Sequence, residues 1–82
     1  MKIAEALTTR ERPVIATVRE WLDKQPDDEV FTPHTVAAEA KVCRQSLGNI
    51  RAELADYTLL HGEKRYWGNP RAIEALKRAV QS

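Results

Sequence analysis

The residues able to do chemistry in this chain are mainly charged, with 13 Lys and Arg nearly balanced by 12 Asp and Glu. Its one thiol is Cys43, and its two imidazoles are His34 and His61. The imidazoles are far apart in sequence, and a single cysteine offers no ligand spacing, so no metal site is expected. Glu53 and Asp56 stand one helical turn apart, a common surface pattern rather than an acid–base pair. Neither a glycine-rich phosphate loop nor a nucleophile elbow is present. These features lead us to expect no enzyme, no cofactor and no metal. The cations are distributed more tellingly. Between Lys41 and Ala52 lie Lys41, Arg44 and Arg51 with no acidic residue. Between His61 and Arg71, Lys64, Arg65 and Arg71 are set against Glu63 alone. Asp23, Asp27, Asp28 and Glu29 form a separate acidic zone. The formal net charge is only +1, too little for indiscriminate coating of a polyanion, so the two local basic zones carry the signal.

Elements able to hold those zones in place can be read from spacing and caps. Residues Lys2 to Leu7 suit a short helical turn. Pro13 disfavours helical geometry at Arg12, so a helix is expected to restart there with Pro13 in its first turn. Val14, Val18 and Leu22, joined by Ile15 and Trp21, give that helix one buried face. Gln25 to Asp28 ends it as a loop. Val30 and Phe31 favour a brief strand. Thr32 and Pro33 read as N-cap and first residue of a short helix ending near Ala40. After a break at Lys41 to Cys43, a second helix is expected from Arg44 to about Asp56. Tyr57 to His61 and Lys64 to Trp67 read as strands around a turn, where Gly62 can take positive φ. Asn69-Pro70 repeats the cap-plus-proline signal and opens a last helix with Ile73, Leu76, Ala79 and Val80 inward. The order is helix, short strand, helix, turn, helix, hairpin, helix.

Val36, Ala37, Ala40, Val42, Leu47, Ile50 and Leu54 fall at the intervals that two short crossing helices need. Val36 and Ala40 are one turn apart, Ala37 is small enough for close approach, and Val42 plugs the turn. The run Val36-Ala37-Ala38-Glu39-Ala40-Lys41-Val42-Cys43-Arg44-Gln45-Ser46-Leu47 resembles the helix-turn-helix family of transcription regulators. That match covers Pro33 to Ala52, and the following hairpin extends it to the winged branch. The resemblance implies a mainly α fold with a small β-hairpin: a winged helix-turn-helix with a three-helix core, a wing and a C-terminal helix. One domain would span 1–82, with the helix-turn-helix at about 33–56, the wing at about 57–68 and the C-terminal helix at about 70–80. The family often has Gly where Lys41 stands and Ser where Cys43 stands. Lys41 would then have to adopt left-handed geometry, at a cost on the order of 1 kcal/mol.

The resemblance also implies double-stranded DNA as the partner, with the outer face of the second helix in the major groove. On this sequence that face is Arg44, Gln45, Ser46, Gly48 and Asn49. Arg can pair bidentately with guanine, and Gln or Asn with adenine. Arg51 and Lys41 would sit nearer the phosphates, Thr32 and Thr35 could anchor another, and Lys64 and Arg65 would serve the wing. Plainer readings stand beside these. Arg44, Gln45 and Asn49 could be a solvated helix face. Gly48 could admit another helix instead of DNA. Lys64 and Arg65 could be ordinary strand-edge charges. Cys43 is better read as a small capping residue than as a redox sensor. Trp21, Tyr66 and Trp67 are better read as core or interface anchors than as base-stacking platforms. A DNA-binding domain this small is expected to act as a homodimer, with Trp21, the Met1 to Thr9 segment and the last helix as candidate surfaces. The alternative function is a winged-helix protein–protein interaction module without DNA binding. No apolar run is long enough to span a membrane and no signal-peptide core is apparent, so a cytoplasmic location is expected.

Overall fold

A computed structural model describes residues 3–81, with side chains from Pro13 onward. It comprises α1 (Ile3–Asp23), α2 (Pro33–Ala40), α3 (Arg44–Asn49), a 3₁₀ turn (Ala55–Tyr57), β1 (Thr58–His61), β2 (Lys64–Trp67) and α4 (Pro70–Gln81). The chain is thus mainly helical with one small antiparallel hairpin. No helix among the described residues is long and apolar enough to cross a membrane.

The helix α1 does not restart at Pro13 but runs through it. Proline removes one backbone hydrogen bond and crowds the preceding turn. Here Pro13 stands on the exposed side of the helix. The preceding Ala, Glu, Leu and Arg residues are good helix formers, so the helix survives the interruption. From α1, Val18 and Leu22 enter the core fully, with Val14, Ile15 and Trp21 packed partly against it. Trp21 meets Phe31 edge-on, with ring centroids 5.1 Å apart, so this candidate dimer residue serves the protein's own packing. Side chains of the Met1 to Thr9 segment lie outside the described residues.

The start of α2 follows from Thr32: its hydroxyl accepts the Thr35 amide at 3.3 Å, and Pro33 occupies the first turn without losing a bond. Its end is Lys41, in the left-handed region at φ 59°. That geometry lets the Lys41 and Val42 amides both reach the Ala37 carbonyl, which closes the helix. Three residues, Lys41 to Cys43, then separate α2 from α3. Val36 and Ala37 of α2 share one buried cluster with Leu47, Ile50 and Leu54 beyond that turn, and Ala40 is buried as well.

The second helix of the pair is shorter than its spacing suggests. It stops at Asn49 rather than near Asp56, and Ile50 to Leu54 continue as looser turns into the 3₁₀ segment. Gly48 and Asn49 are poor helix formers, which weakens the ladder at that point. Ile50 and Leu54 stay buried even so, because they remain one turn apart. The expected strand at Val30 and Phe31 is reduced to one bridge, in which Phe31 and Trp67 exchange both backbone bonds at 2.7 and 2.8 Å.

Strands β1 and β2 pair as Thr58↔Trp67, Leu59↔Tyr66, Leu60↔Arg65 and His61↔Lys64. Gly62 makes the turn at φ 65°, a conformation that glycine adopts without steric cost. Asn69 caps α4 by accepting the Ala72 amide at 2.8 Å. Only Ala72 and Ile73 of α4 are buried; Leu76 is half-covered, and Ala79 and Val80 are exposed. The expected inward placement of Ala79 and Val80 is therefore not observed. The last turns of α4 extend past the β1 and 3₁₀ surface on which the helix packs.

Candidate nucleic-acid interface

Two geometric rules sort the cations. On a helix, positions four apart share a side, so Arg44 and Gly48 line up, and Arg51, in the turns just past α3, lines the same groove. On a hairpin, directly opposed and alternate residues share a face, which groups Thr58, Leu60, Arg65 and Trp67. These two sides meet. A groove of about 300 Å³ runs between α3 and the hairpin, lined by Arg44, Gly48, Arg51, Leu60, Arg65 and Trp67 among others. An adjoining hollow of about 400 Å³ adds Thr32, Lys64 and Tyr66 to Arg44 and Arg65. Residues from both basic zones thus converge, although about fourteen positions separate Arg51 from Arg65. Glu63 is the acidic residue that lines both hollows.

Not every residue singled out from the sequence joins them. Gln45 and Asn49 are exposed on the next side of α3, away from the groove lining. Ser46 is half-buried, and Lys41 is exposed at the end of α2. The Thr32 and Thr35 hydroxyls lie 3.1 Å apart, and Thr32 is already engaged in capping. Arg71, from the second basic zone, pairs with Asp27 at 3.2 Å in a different hollow with Asp23 and Asn69. Both partners are largely exposed, so the pair adds little stability.

The hairpin arginine is the most constrained of the cations. Arg65 is half-buried, and its Nη1 donates to the Thr58 hydroxyl at 3.2 Å. The Thr58 hydroxyl in turn donates to the Tyr66 carbonyl at 2.8 Å. Burial first, and then the nearby charge of Arg51, lower the Arg65 pKa below the ordinary arginine value. It remains a cation, because arginine keeps its proton throughout the usual pH range. Thr58 was missed as a functional candidate, and Trp67 reads from sequence only as a core or interface anchor. Thr58 reads from sequence as an ordinary strand residue, and only the register places it and Trp67 on the face of Arg65.

Gly48 has open space around it: a Cβ built there would meet nothing within 4 Å. No close approach within the chain requires glycine at this exposed position. Cys43 precedes α3 as an exposed N-cap without a side-chain bond. His34 and His61 are exposed, and no cluster of metal-binding side chains occurs among the described residues.

Compared with models of known protein families, with characterised proteins and with solved structures, the chain matches none.

Proposed function

We propose that this chain is a winged helix-turn-helix domain that binds double-stranded DNA. In this reading α2, the Lys41 to Cys43 turn and α3 are the helix-turn-helix, and the β1–β2 hairpin is the wing. The observation that carries the proposal is the convergence of Arg44 and Arg51 with Arg65 and Lys64 along one side of the molecule. A duplex presents a dense row of phosphates on either side of its major groove, and cations flanking a short helix suit that arrangement. Gln45 and Asn49, exposed beside Arg44, carry the amide groups that read adenine. Gly48 leaves room for a base edge or sugar to approach. The regulatory role we favour is that of a small transcriptional regulator, or of the DNA-reading part of a phage or mobile element.

A fluorescence anisotropy titration with random and selected duplexes tests this reading. Binding should weaken steeply with salt and should favour selected sequences. Failure to bind any duplex at low salt would remove the proposal. Tight recognition by so small a reading face calls for two copies on paired half-sites. We therefore propose a homodimer, with α4 as one of its surfaces; a monomer by light scattering at high protein concentration would contradict that part.

One observation favours a second reading, in which the same face docks a protein. Leu60 is 55% exposed at the groove rim, and Glu63 lies beside it. An exposed leucine in a mixed-charge groove suits a peptide better than a phosphate backbone. Capture of one stoichiometric protein partner, lost on Leu60→Ser, with no retention on DNA would favour docking.

A further inference from the structure

The floor of the α3–hairpin groove has features that a merely charged surface lacks. Its guanidiniums come from two elements and approach each other, so Arg51 acts on Arg65 as a like charge. Arg65 is tethered through Thr58, a residue only 7% exposed, and Thr58 is itself tied to the Tyr66 carbonyl. Glu63 lines the same groove, yet it forms no ion pair with Arg44, Arg51 or Arg65. Trp67 also lines the groove, and its buried indole N–H has no acceptor. Leu47, buried, and Leu60, exposed at the rim, add apolar surface to the groove. Arginines that line one groove without an ion-pair partner, with Arg65 part-buried among them, create a demand for an anion supplied from outside.

We propose that this groove is an oxyanion site for a single phosphate group, held between Arg51 and Arg65 with Arg44 at its mouth. Thr58 is its positioning residue: it ties the Nη1 end of the Arg65 guanidinium and leaves the remaining N–H groups for the ligand. A phosphate matches this arrangement because its oxygens can accept from two guanidiniums at once. The inference rests on the DNA reading only for the source of the phosphate, which on a duplex is a backbone phosphodiester. The positions of Gln45 and Asn49 play no part in it.

The test follows the Trp67 indole and Arg65 side-chain N–H resonances of the full chain by NMR. Inorganic phosphate and a short duplex are titrated separately, each against sodium chloride at equal ionic strength. Phosphate should give a saturating shift that chloride does not give. Affinity should fall about tenfold or more in Arg51→Ala and in Arg65→Ala, the loss expected when a charge-assisted bond is removed. Arg51 is exposed, so its variant keeps the test valid if Arg65→Ala folds poorly. Thr58→Val should weaken the response while Thr58→Ser retains it, with thermal melts run on both. A response to phosphate without a response to duplex supports the site and removes DNA as its source. A duplex response confined to Gln45 and Asn49, with the groove resonances still, overturns the site and leaves DNA binding intact. No response beyond the chloride control overturns it outright.

Discussion

Gly48 and Tyr57 differ in what the fold asks of them. A glycine inside a helix costs about 0.5–1 kcal/mol relative to alanine, and here no neighbour in the chain requires it. Gly48→Ala should therefore raise folding stability by up to about 1 kcal/mol while weakening duplex binding. Denaturant unfolding and anisotropy measured on the same variant check both halves; tighter or unchanged binding would show that the glycine leaves no room for DNA. Tyr57 acts on the other side of the ledger. Its hydroxyl donates to Asp23 at 2.9 Å and links the end of α1 to the approach of β1. Burial, and then the bond to Asp23, raise its pKa above the ordinary value of 10.0. The folded state therefore holds this proton more tightly than the unfolded chain. The linked stability is fully present below pH 10.0 and is lost as pH rises through the raised value. Tyr57→Phe should show a shallower fall of stability above pH 10.0 than the native chain, in denaturant midpoints compared across pH. Equal slopes would mean that this hydroxyl is not linked to folding.

Among the elements, the caps were the most legible part of the sequence. Thr32-Pro33 and Asn69-Pro70 each place a side-chain acceptor one residue before a proline that has no amide to satisfy. Asn69 does more than its motif reveals. Only 5% exposed, it also donates to the Gln25 carbonyl at 3.0 Å and to Asp27 at 2.9 Å, locking the α1–α2 loop to α4. Loss of the cap and of the bond to Gln25 should make Asn69→Ala cost about 2 kcal/mol, a drop of roughly 8–16 °C in melting temperature. An unchanged melt would deny the lock. The α2 and α3 apolar spacing also translated directly into burial, and the Lys41 turn took the left-handed form that its shape requires. Other features depend on partners that local patterns do not contain. Pro13 breaks an isolated pattern, yet exposure and strong flanking helix formers let α1 continue. Leu54 kept helical spacing after the backbone had left the helix, so periodicity overran the end of α3. Ala79 and Val80 fit an inner stripe that the fold is too short to cover. Gly68 lies where a Cβ would meet the Glu29 carbonyl at 3.1 Å, an approach visible only once the loop is folded. In the candidate interface, the charges of Arg44, Arg51, Lys64 and Arg65 were legible one by one. Their convergence was not, because it depends on hairpin register and on where the hairpin lies against α3.

The whole molecule is longer than its mass suggests. A chain of this length is expected to have a radius of gyration of roughly 12 Å, against 13.1 Å observed, with extents of 48 × 22 × 18 Å. A helix as long as α1 accounts for roughly 31 Å of that length. The net charge of +1 gives little long-range attraction to a polyanion, so any affinity for DNA has to come from local placement. The acidic corner of Asp23 and Asp27 lines a hollow separate from the arginine groove, so on the proposed reading it would face away from a duplex. The most direct measurement of this placement is amide chemical-shift mapping of the labelled chain on a selected duplex. The largest shifts should fall at 44–51 and 58–67, with the acidic corner at 23–28 and the body of α4 nearly still. Shifts centred on α4 or the acidic corner, or no shifts at low salt, would contradict the account.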